Sequence, residues 1–150
     1  MPDSMIRLAD PAASEAFGAR LGAVVRVGDV VTLSGPLGAG KTSIARGLLG
    51  ALGLAGEAPS PSFAIVQPYE PPEVRLPVLH VDLYRLDDPA ELDELGLDEA
   101  RWDSLLLVEW PEHGGRWDDA LALTLALEPD GVRRLTARVP PSWEARWRSI

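Results

Sequence analysis

Apolar residues recur along this chain with two different periods, and each period predicts a different kind of element. The stretch DVVTLS at 29–34 is a short apolar run rich in β-branched residues, which predicts a buried strand. KTSIARGLLGALG at 41–53 carries apolar residues at helical spacing, so we predict a helix that stops near Gly53. DPAASEAFGARLG at 10–22 has the same spacing and predicts an earlier helix, which Asp10 caps.

The rest of the chain contains further strand and helix patterns. Five segments predict strands: SFAIVQPY at 62–69, LPVLHVDLY at 76–84, SLLLVEW at 104–110, ALALTLALE at 120–128 and VRRLTARV at 132–139. The PDG turn between the last two predicts a hairpin. Two segments predict helices: DDPAELDELG at 87–96 and PPSWEARWRSI at 140–150. This order predicts a three-layer α/β fold with a mixed, partly antiparallel sheet, in a single domain over residues 1–150.

Composition narrows the class of protein. The chain has no cysteine, which excludes disulfides, thiolate metal sites and cysteine nucleophiles. No apolar run approaches the ~18 residues that a membrane span needs, and residues 1–10 lack a signal-peptide pattern. We therefore expect a cytoplasmic protein with no membrane partner.

The net charge of −9 argues against binding nucleic-acid phosphates over the whole surface, and the charges are unevenly spread. Residues 82–112 carry eleven acids against two arginines, whereas residues 133–150 carry five arginines against one acid. Two interpretations stay open for these segments: they are solvated faces of opposite sign, or they are docking surfaces.

The stretch GPLGAGKTS at 35–43 contains the single lysine of a chain whose other 13 basic residues are arginine. It matches the phosphate-binding pattern GxxxxGK followed by Ser or Thr, between a predicted strand and a predicted helix. Glycines let backbone N–H groups approach phosphate oxygens, and the helix N-terminus adds its positive dipole end. Lys41 reaches the β- and γ-phosphates as a point charge where a planar guanidinium would displace the loop. Thr42 offers its hydroxyl to Mg²⁺.

This motif makes the expected fold P-loop NTPase-like and predicts a nucleotide-binding site. The predicted contact residues are Gly35, Leu37, Gly38, Ala39, Gly40, Lys41, Thr42 and Ser43. Guanine specificity in many GTPases of this type uses an Asn-Lys-x-Asp motif, and the chain has no second lysine to form one. ATP is therefore expected rather than GTP.

An acid at the end of a buried strand is expected to hold the metal in such an NTPase. LLLVE at 105–109 ends in Glu109 after four apolar residues, which is the pattern of a central strand. Glu109 is therefore the predicted Mg²⁺ ligand beside Thr42. Trp110 follows it, and two interpretations of this residue are equally favoured: packing at the core or rim, or a place beside the nucleotide.

Two further stretches are ambiguous from their residues alone. In LHVDLYRL at 79–86, strand alternation puts His80, Asp82 and Tyr84 on one face. Asp82 is then a candidate for positioning water, but a half-exposed strand with a polar outer face explains the pattern better. In SPSF the hydroxyl of Ser62 could sense a γ-phosphate, although a plain turn is the simpler explanation.

The chain resembles the TsaE family, small bacterial ATPases of the tRNA threonylcarbamoyladenosine pathway. Four stretches carry the resemblance by their order and spacing: GPLGAGKTS, SPSFAIVQPY, LHVDLYRL and LLLVEWPEHG. The resemblance covers residues 28–114. None of the three motifs after GPLGAGKTS is specific to the family by itself, but the four motifs together are. The resemblance implies that the first motif, with Lys41, binds ATP and that Ser62 acts as a switch. It also implies that Asp82 is needed for hydrolysis and that Glu109 ligates Mg²⁺. The simpler explanations of Asp82 and Ser62 give way to these implied roles.

The resemblance also implies partners. Members of this family work with TsaB and TsaD, which install the threonylcarbamoyl group on adenosine 37 of tRNAs that read ANN codons. TsaE does not perform that transfer; its ATP hydrolysis drives turnover of the assembly. Contact with tRNA is therefore expected to be indirect, which agrees with the net charge of −9.

Two positions depart from the family pattern. Pro36 stands where the family usually has Asp or Asn, and it removes one backbone donor. The main phosphate donors are expected further on, at residues 38–42, so little loss is expected. Ser62 stands where the family usually has Thr, and it lacks the methyl group that stiffens χ1.

Two rival functions share the loop chemistry. A small-molecule kinase would consume ATP only when an acceptor is present. The chain lacks a clear arginine-bearing lid after the strand that ends in Glu109, which counts against a kinase. A non-catalytic binding module would use ATP only to set its conformation. Hydrolysis by the isolated protein and by a mixture with partners distinguishes both from an ATPase.

Overall fold

The structure, a computed structural model, describes residues 3–55, 66–86, 88, 90–91, 95–115 and 117–150. Its strands are β1 (Asp3–Leu8), β2 (Val30–Ser34), β3 (Val66–Tyr69), β4 (Val78–Asp82), β5 (Leu105–Glu109), β6 (Leu121–Leu127) and β7 (Arg133–Arg138). The helices bounded within these ranges are α1 (Pro11–Gly22), α2 (Lys41–Ala51), α3 (Leu97–Ala100) and α4 (Glu144–Trp147), with 3₁₀ turns at Pro111–Gly114 and Pro141–Trp143. None of the described helices is long and apolar enough to cross a membrane.

The strands form one mixed sheet of seven, in the order β1-β7-β6-β2-β5-β4-β3. At its centre β2 pairs in parallel with β5 on one side and with β6 on the other, and β4 pairs in parallel with β5. The pairs β3–β4, β6–β7 and β1–β7 are antiparallel. Because parallel strands end at the same edge of a sheet, the carboxyl ends of β2, β4, β5 and β6 meet there, where ligands bind in open α/β sheets.

Alternate residues of the central strands join two apolar clusters, one on each face of the sheet. In β2, Val31 and Leu33 join the first cluster, which α1 and α2 cover. Val30 joins the second cluster, to which α3 contributes Leu97. β5 alternates in the same way, so both central strands are buried on two faces. The predicted three-layer α/β fold with a partly antiparallel sheet is confirmed.

Helices α1 and α2 pack in direct backbone contact because glycines lie at their interface. A Cβ at Gly47 of α2 would overlap the carbonyl oxygen of Glu15, and one at Gly18 of α1 would overlap that of Ile44. This close approach fixes α2 against α1. It therefore also sets the position of Lys41, the first residue of α2.

Several predicted boundaries are confirmed. The carboxylate of Asp10 caps α1 by accepting a hydrogen bond of 2.8 Å from the N–H of Ala13. Helix α2 ends at Ala51, and Gly53 has a φ of 110°, the left-handed conformation of a helix stop. The hairpin at the PDG turn is present as β6 and β7.

Other elements differ from the predictions. Strand β1, which lies at the sheet edge and pairs with β7, follows from no pattern identified in the sequence. The predicted helix at 140–150 is instead a 3₁₀ turn followed by the four-residue α4. The predicted strand at 62–69 is described only from Val66 onward, as β3. Of the predicted helix at 87–96, several residues lie outside the described part, and residues 90–91 are helical.

Candidate functional site

The predicted phosphate loop leaves the sheet at its centre, where β2 ends at Ser34 and α2 begins at Lys41. Three of its residues have positive φ angles: Gly35 at 139°, Gly38 at 81° and Gly40 at 104°. Glycine adopts such angles at little steric cost, and the space beside the Cα of Gly38 is open. The loop therefore has the kind of backbone geometry with which successive N–H groups form anion-binding concavities.

A cavity of about 260 Å³ opens over this loop and the carboxyl ends of β4 and β5. Six of the eight residues predicted to contact nucleotide line it: Leu37, Gly38, Gly40, Lys41, Thr42 and Ser43. The other two, Gly35 and Ala39, are not among the residues that line it. Gly35 accepts a hydrogen bond from Lys41 through its carbonyl oxygen, and Ala39 is buried with its N–H donated to Pro36.

Four side chains from other elements complete the wall: Asp82, Glu109, Trp110 and Arg133. The first three are among the predicted site residues, and Arg133 is not. Ser62, the predicted switch residue, lies outside the described residues. The structure thus gathers residues from four separated parts of the chain around one cavity.

Lys41 is nearly buried in the cavity wall, with 5% of its surface exposed. Its Nζ donates a hydrogen bond of 2.6 Å to the carbonyl oxygen of Gly35 and lies 3.7 Å from the centre of the Trp110 ring. Burial lowers the pKa of Lys41, while the negative charges of Glu109 and Asp82 oppose that shift. The ammonium group is thus partly stripped of water beside the loop, where an anionic ligand would stabilise it.

A buried pair links β4 to β5 beneath the cavity. Nε2 of His80 lies 2.7 Å from Oε2 of Glu109, and the two side chains are 4% and 7% exposed. The expectation of a half-exposed strand with His80 on a polar outer face is therefore wrong. Alternation alone marks this face of β4 as polar, but Glu109 on the neighbouring strand binds Nε2 of the imidazole inside the protein, while Nδ1 is buried without a hydrogen-bond partner among the described residues.

Asp82 ends β4 opposite Glu109, its register partner on β5. Its carboxylate accepts a hydrogen bond of 2.9 Å from the N–H of Tyr84. Burial raises the pKa of Asp82, and the charge of Glu109 adds to this shift, whereas the Tyr84 hydrogen bond and the charges of His80 and Lys41 oppose it. Two carboxylates at adjacent strand ends, one with a raised pKa, can together attract a cation and accept a proton.

Trp110 turns away from the end of β5 with a φ of 57°, which is uncommon for a residue other than glycine. Its ring lies 4.9 Å from the ring of Tyr84, measured between centroids, and packs at the edge of the second apolar cluster. It also lines the cavity next to Lys41. The packing role of Trp110 is therefore observed, and a contact with nucleotide stays a prediction.

The arginines of residues 133–150 have three different environments. Arg146 makes an ion pair of 2.6 Å with Asp29, donates to the carbonyl oxygen of Val24 and lies over the ring of Trp143. Arg133 lines the cavity. The exposed arginines are Arg134, Arg138 and Arg148. The five arginines therefore do not lie on one surface, because Asp29 binds Arg146 inward and Arg133 lines the cavity. For the three exposed arginines both interpretations stay open.

Thr42 and Glu109, the predicted Mg²⁺ ligands, line the same cavity. No group of three or more His, Asp and Glu side chains in the described ranges is arranged to hold a metal ion. Mg²⁺ at nucleotide sites usually takes one or two protein carboxylates and completes its shell with phosphates and water. One hydroxyl and one carboxylate therefore fit Mg²⁺ that binds together with nucleotide phosphates.

Known proteins share both the sequence and the fold of this chain. A family model described as threonylcarbamoyl adenosine biosynthesis protein TsaE matches residues 8–135. The tRNA threonylcarbamoyladenosine biosynthesis protein TsaE of Streptomyces coelicolor is 45% identical over 97 residues, which cover 64% of this chain and 66% of that protein. Its counterpart in Bacillus subtilis is 39% identical over 105 residues, covering 69% of this chain and 64% of that protein. The match thus spans less than two thirds of these relatives' own length.

A solved structure shares the whole fold. The crystal structure of Bacillus subtilis YdiB has a TM-score of 0.81 and 28% sequence identity, over 99% of this chain and 93% of that one. This likeness confirms the predicted P-loop NTPase-like fold. With the family model matched across residues 8–135, which include the glycine-rich loop, Asp82 and Glu109, this chain belongs to the TsaE family.

Proposed function

We propose that this chain is a Mg²⁺-dependent ATPase that supports formation of the threonylcarbamoyl group on adenosine 37 of ANN-decoding tRNAs, together with TsaB and TsaD. The observation that carries the proposal is the cavity in which Lys41, Thr42, Asp82 and Glu109 meet beside a glycine-rich loop. Family membership supports the role in tRNA modification, because the curated relatives are named for it. The proposed place of action is the cytoplasm, and contact with tRNA is indirect.

The loop and the start of α2 supply the binding energy for the triphosphate. The phosphate donors are the backbone N–H groups of Gly38 and of residues 40–42, since the N–H of Ala39 already donates to the carbonyl oxygen of Pro36. Nζ of Lys41, whose hydrogen bond within the described residues goes to the carbonyl oxygen of Gly35, gains an anionic partner when phosphate enters. That gain is large because the ammonium group is nearly buried and the effective dielectric constant is low.

The strand ends supply the groups for hydrolysis. Thr42 and Glu109 hold Mg²⁺, which neutralises charge on the phosphates when it is bound. Nε2 of His80 forms a hydrogen bond with one carboxylate oxygen of Glu109 and so orients this side chain. Asp82 positions the attacking water and accepts its proton, a task that its raised pKa favours.

The experiment measures ATP binding and hydrolysis by the isolated protein and by its mixture with TsaB, TsaD and tRNA, with Mg²⁺ or with a chelator. We expect binding and hydrolysis that need Mg²⁺, and faster turnover with the partners. Consumption of ATP only with a small-molecule acceptor would instead identify a kinase. Binding without hydrolysis in every mixture would identify a non-catalytic module, and either result contradicts the proposal.

A further inference from the structure

Arg133 is the one charged side chain of the cavity that the proposed mechanism leaves without a role. It begins β7 and reaches the cavity that Lys41 and Thr42 line. Its Nε is buried without a hydrogen-bond partner, and its Nη1 makes a long hydrogen bond of 3.4 Å to the carbonyl oxygen of Gly131. Across the described ranges no carboxylate pairs with it. A guanidinium with so few partners is open to a ligand.

The sheet topology explains why Arg133 reaches this cavity. β6 pairs in parallel with β2, so the β6–β7 hairpin lies at the same edge of the sheet as the phosphate loop. The loop touches this hairpin at both ends. A Cβ at Gly35 would lie 2.6 Å from the carbonyl oxygen of Leu125, and one at Gly40 would lie 3.8 Å from Nε of Arg133. The guanidinium therefore lies beside the last glycine before α2.

The acids of the hairpin do not neutralise Arg133. Glu128 and Asp130 both pair with Arg7, at 3.3 Å and 3.6 Å. Arg133 therefore keeps its positive charge beside the N-terminus of α2, where the helix dipole favours an anion. Arg133, the second cation of the cavity after Lys41, and the N-terminus of α2 both attract an anion to the same part of the cavity.

Arg133 and the two acids flank the loop from opposite sides. Asp82 and Glu109 come from β4 and β5, on one side of β2 in the sheet, whereas Arg133 comes from β7, beyond β6 on the other side. In the proposed mechanism the reacting phosphate lies on the side of Asp82. A phosphate that meets Arg133 is then a different one, and the α-phosphate, which is neither attacked nor part of the leaving bond, keeps its charge during hydrolysis.

We infer that Arg133 binds a phosphate group of the nucleotide on the side of the loop away from Asp82 and Glu109. This inference rests on the proposed function, since the anion is a nucleotide only if the cavity binds one. A guanidinium offers parallel N–H donors that match phosphate oxygens. A contact that is equally strong before and during the reaction raises affinity and leaves kcat unchanged. Arg133 is thus a binding residue of the site.

The test compares Arg133→Gln and Arg133→Lys with Arg134→Gln, a matched control at the exposed neighbouring position. Calorimetry gives Kd for ATP, ADP and inorganic tripolyphosphate, each with Mg²⁺, and steady-state kinetics gives kcat and KM. We expect Arg133→Gln to weaken all three ligands about tenfold, the value of one charge-assisted hydrogen bond. KM should rise in proportion at constant kcat, Arg133→Lys should recover part of the affinity, and Arg134→Gln should match the wild type.

Each other outcome is decisive. Unchanged affinities in a folded Arg133→Gln variant would overturn the inference while leaving the proposed function intact. Weaker ATP and ADP binding with unchanged tripolyphosphate binding would mean that Arg133 contacts the nucleoside, which also overturns it. A fall in kcat at constant KM would place Arg133 in the reaction itself, against the inference. Failure of the wild-type chain to bind any of the ligands would overturn the proposed function and this inference with it.

Discussion

His80 of β4 and Glu109 of β5 form a buried pair in which Nε2 and Oε2 lie 2.7 Å apart. The pair connects two strands just beneath the cavity, next to the register pair of Asp82 and Glu109. Because one carboxylate oxygen is held by the imidazole, the side chain of Glu109 has a defined orientation. His80 therefore supports the proposed metal ligand from behind.

The first prediction concerns this pair. His80→Ala leaves the carboxylate of Glu109 buried without its hydrogen-bond partner. We expect the free energy of unfolding to fall by about 1–3 kcal/mol, measured by urea denaturation, because a buried group that loses its partner bears its full desolvation cost. His80→Gln keeps an amide donor and should recover part of the loss. Equal stability of His80→Ala and the wild type would contradict this role.

The second prediction concerns Lys41. ATP at a hundred times its Kd should stabilise the wild type by about 2.7 kcal/mol, seen as a thermal shift. Lys41→Ala should lose most of that shift. Lys41→Arg should not restore it, because Nζ fits between the Gly35 carbonyl oxygen at 2.6 Å and the Trp110 ring at 3.7 Å. A planar guanidinium is wider than this space. Full rescue by arginine would show that the shape of the cation is unimportant.

The third prediction separates the two carboxylates of the site. Glu109→Gln should weaken the Mg²⁺ dependence of nucleotide binding, because it removes a hard anionic ligand. Asp82→Asn should bind nucleotide nearly as well as the wild type and hydrolyse it more slowly, because the amide cannot accept the proton. Titrations of ATP at several Mg²⁺ concentrations and single-turnover hydrolysis check both variants. Equal loss of binding in the two would mean that the division of roles is wrong.

The glycine-rich loop and the strands around it could be predicted because their signals are local. Gly35, Gly38 and Gly40 occupy positions with positive φ, and the loop lies between a buried strand and a helix, as the pattern requires. The apolar run LLLV before Glu109 predicts a central strand, and all five residues of this strand are buried in the structure. Short-range periodicity and steric needs are enough to specify such elements.

The polar partners of the site could not be predicted, because they depend on the order of strands in the sheet. His80 and Glu109 are 29 residues apart in sequence, and Arg146 and Asp29 are 117 apart. Arg133 reaches the loop only because β6 lies next to β2, which the periodicity of a single strand does not reveal. Residue patterns alone therefore indicate surface positions for His80, which is buried, and for Arg146, which is nearly buried.

The fourth prediction concerns pH. Burial raises the pKa of Asp82 above its ordinary value of 3.8. The folded state then holds the proton more tightly than the unfolded state, so this group makes stability fall as pH rises from 3.8 through the raised pKa. Asp82→Asn, whose side-chain oxygen can still accept from Tyr84, should melt at a higher temperature than the wild type near neutral pH. The difference should shrink as both forms become neutral in acid.

Thermal unfolding at a series of pH values tests this, with Asp103→Asn as a control at an exposed aspartate. The control should show no comparable gain near neutral pH. A lower melting temperature for Asp82→Asn at every pH would mean that the hydrogen bond to Tyr84 and the charges of His80 and Lys41 outweigh burial. The carboxylate would then stabilise the fold.

The fifth prediction concerns Arg146, which the local sequence groups with the docking candidates. Its guanidinium makes two hydrogen bonds to the carboxylate of Asp29, at 2.6 Å and 3.0 Å, and the paired side chains are 10% and 11% exposed. Arg146→Ala should lower the free energy of unfolding by about 3 kcal/mol, because it leaves a nearly buried carboxylate without its partner. Arg148→Ala, at an exposed position two residues on, is the control and should leave stability unchanged. If both variants unfold at the wild-type denaturant concentration, the ion pair does not stabilise the fold, and Arg146 would again be a candidate for docking.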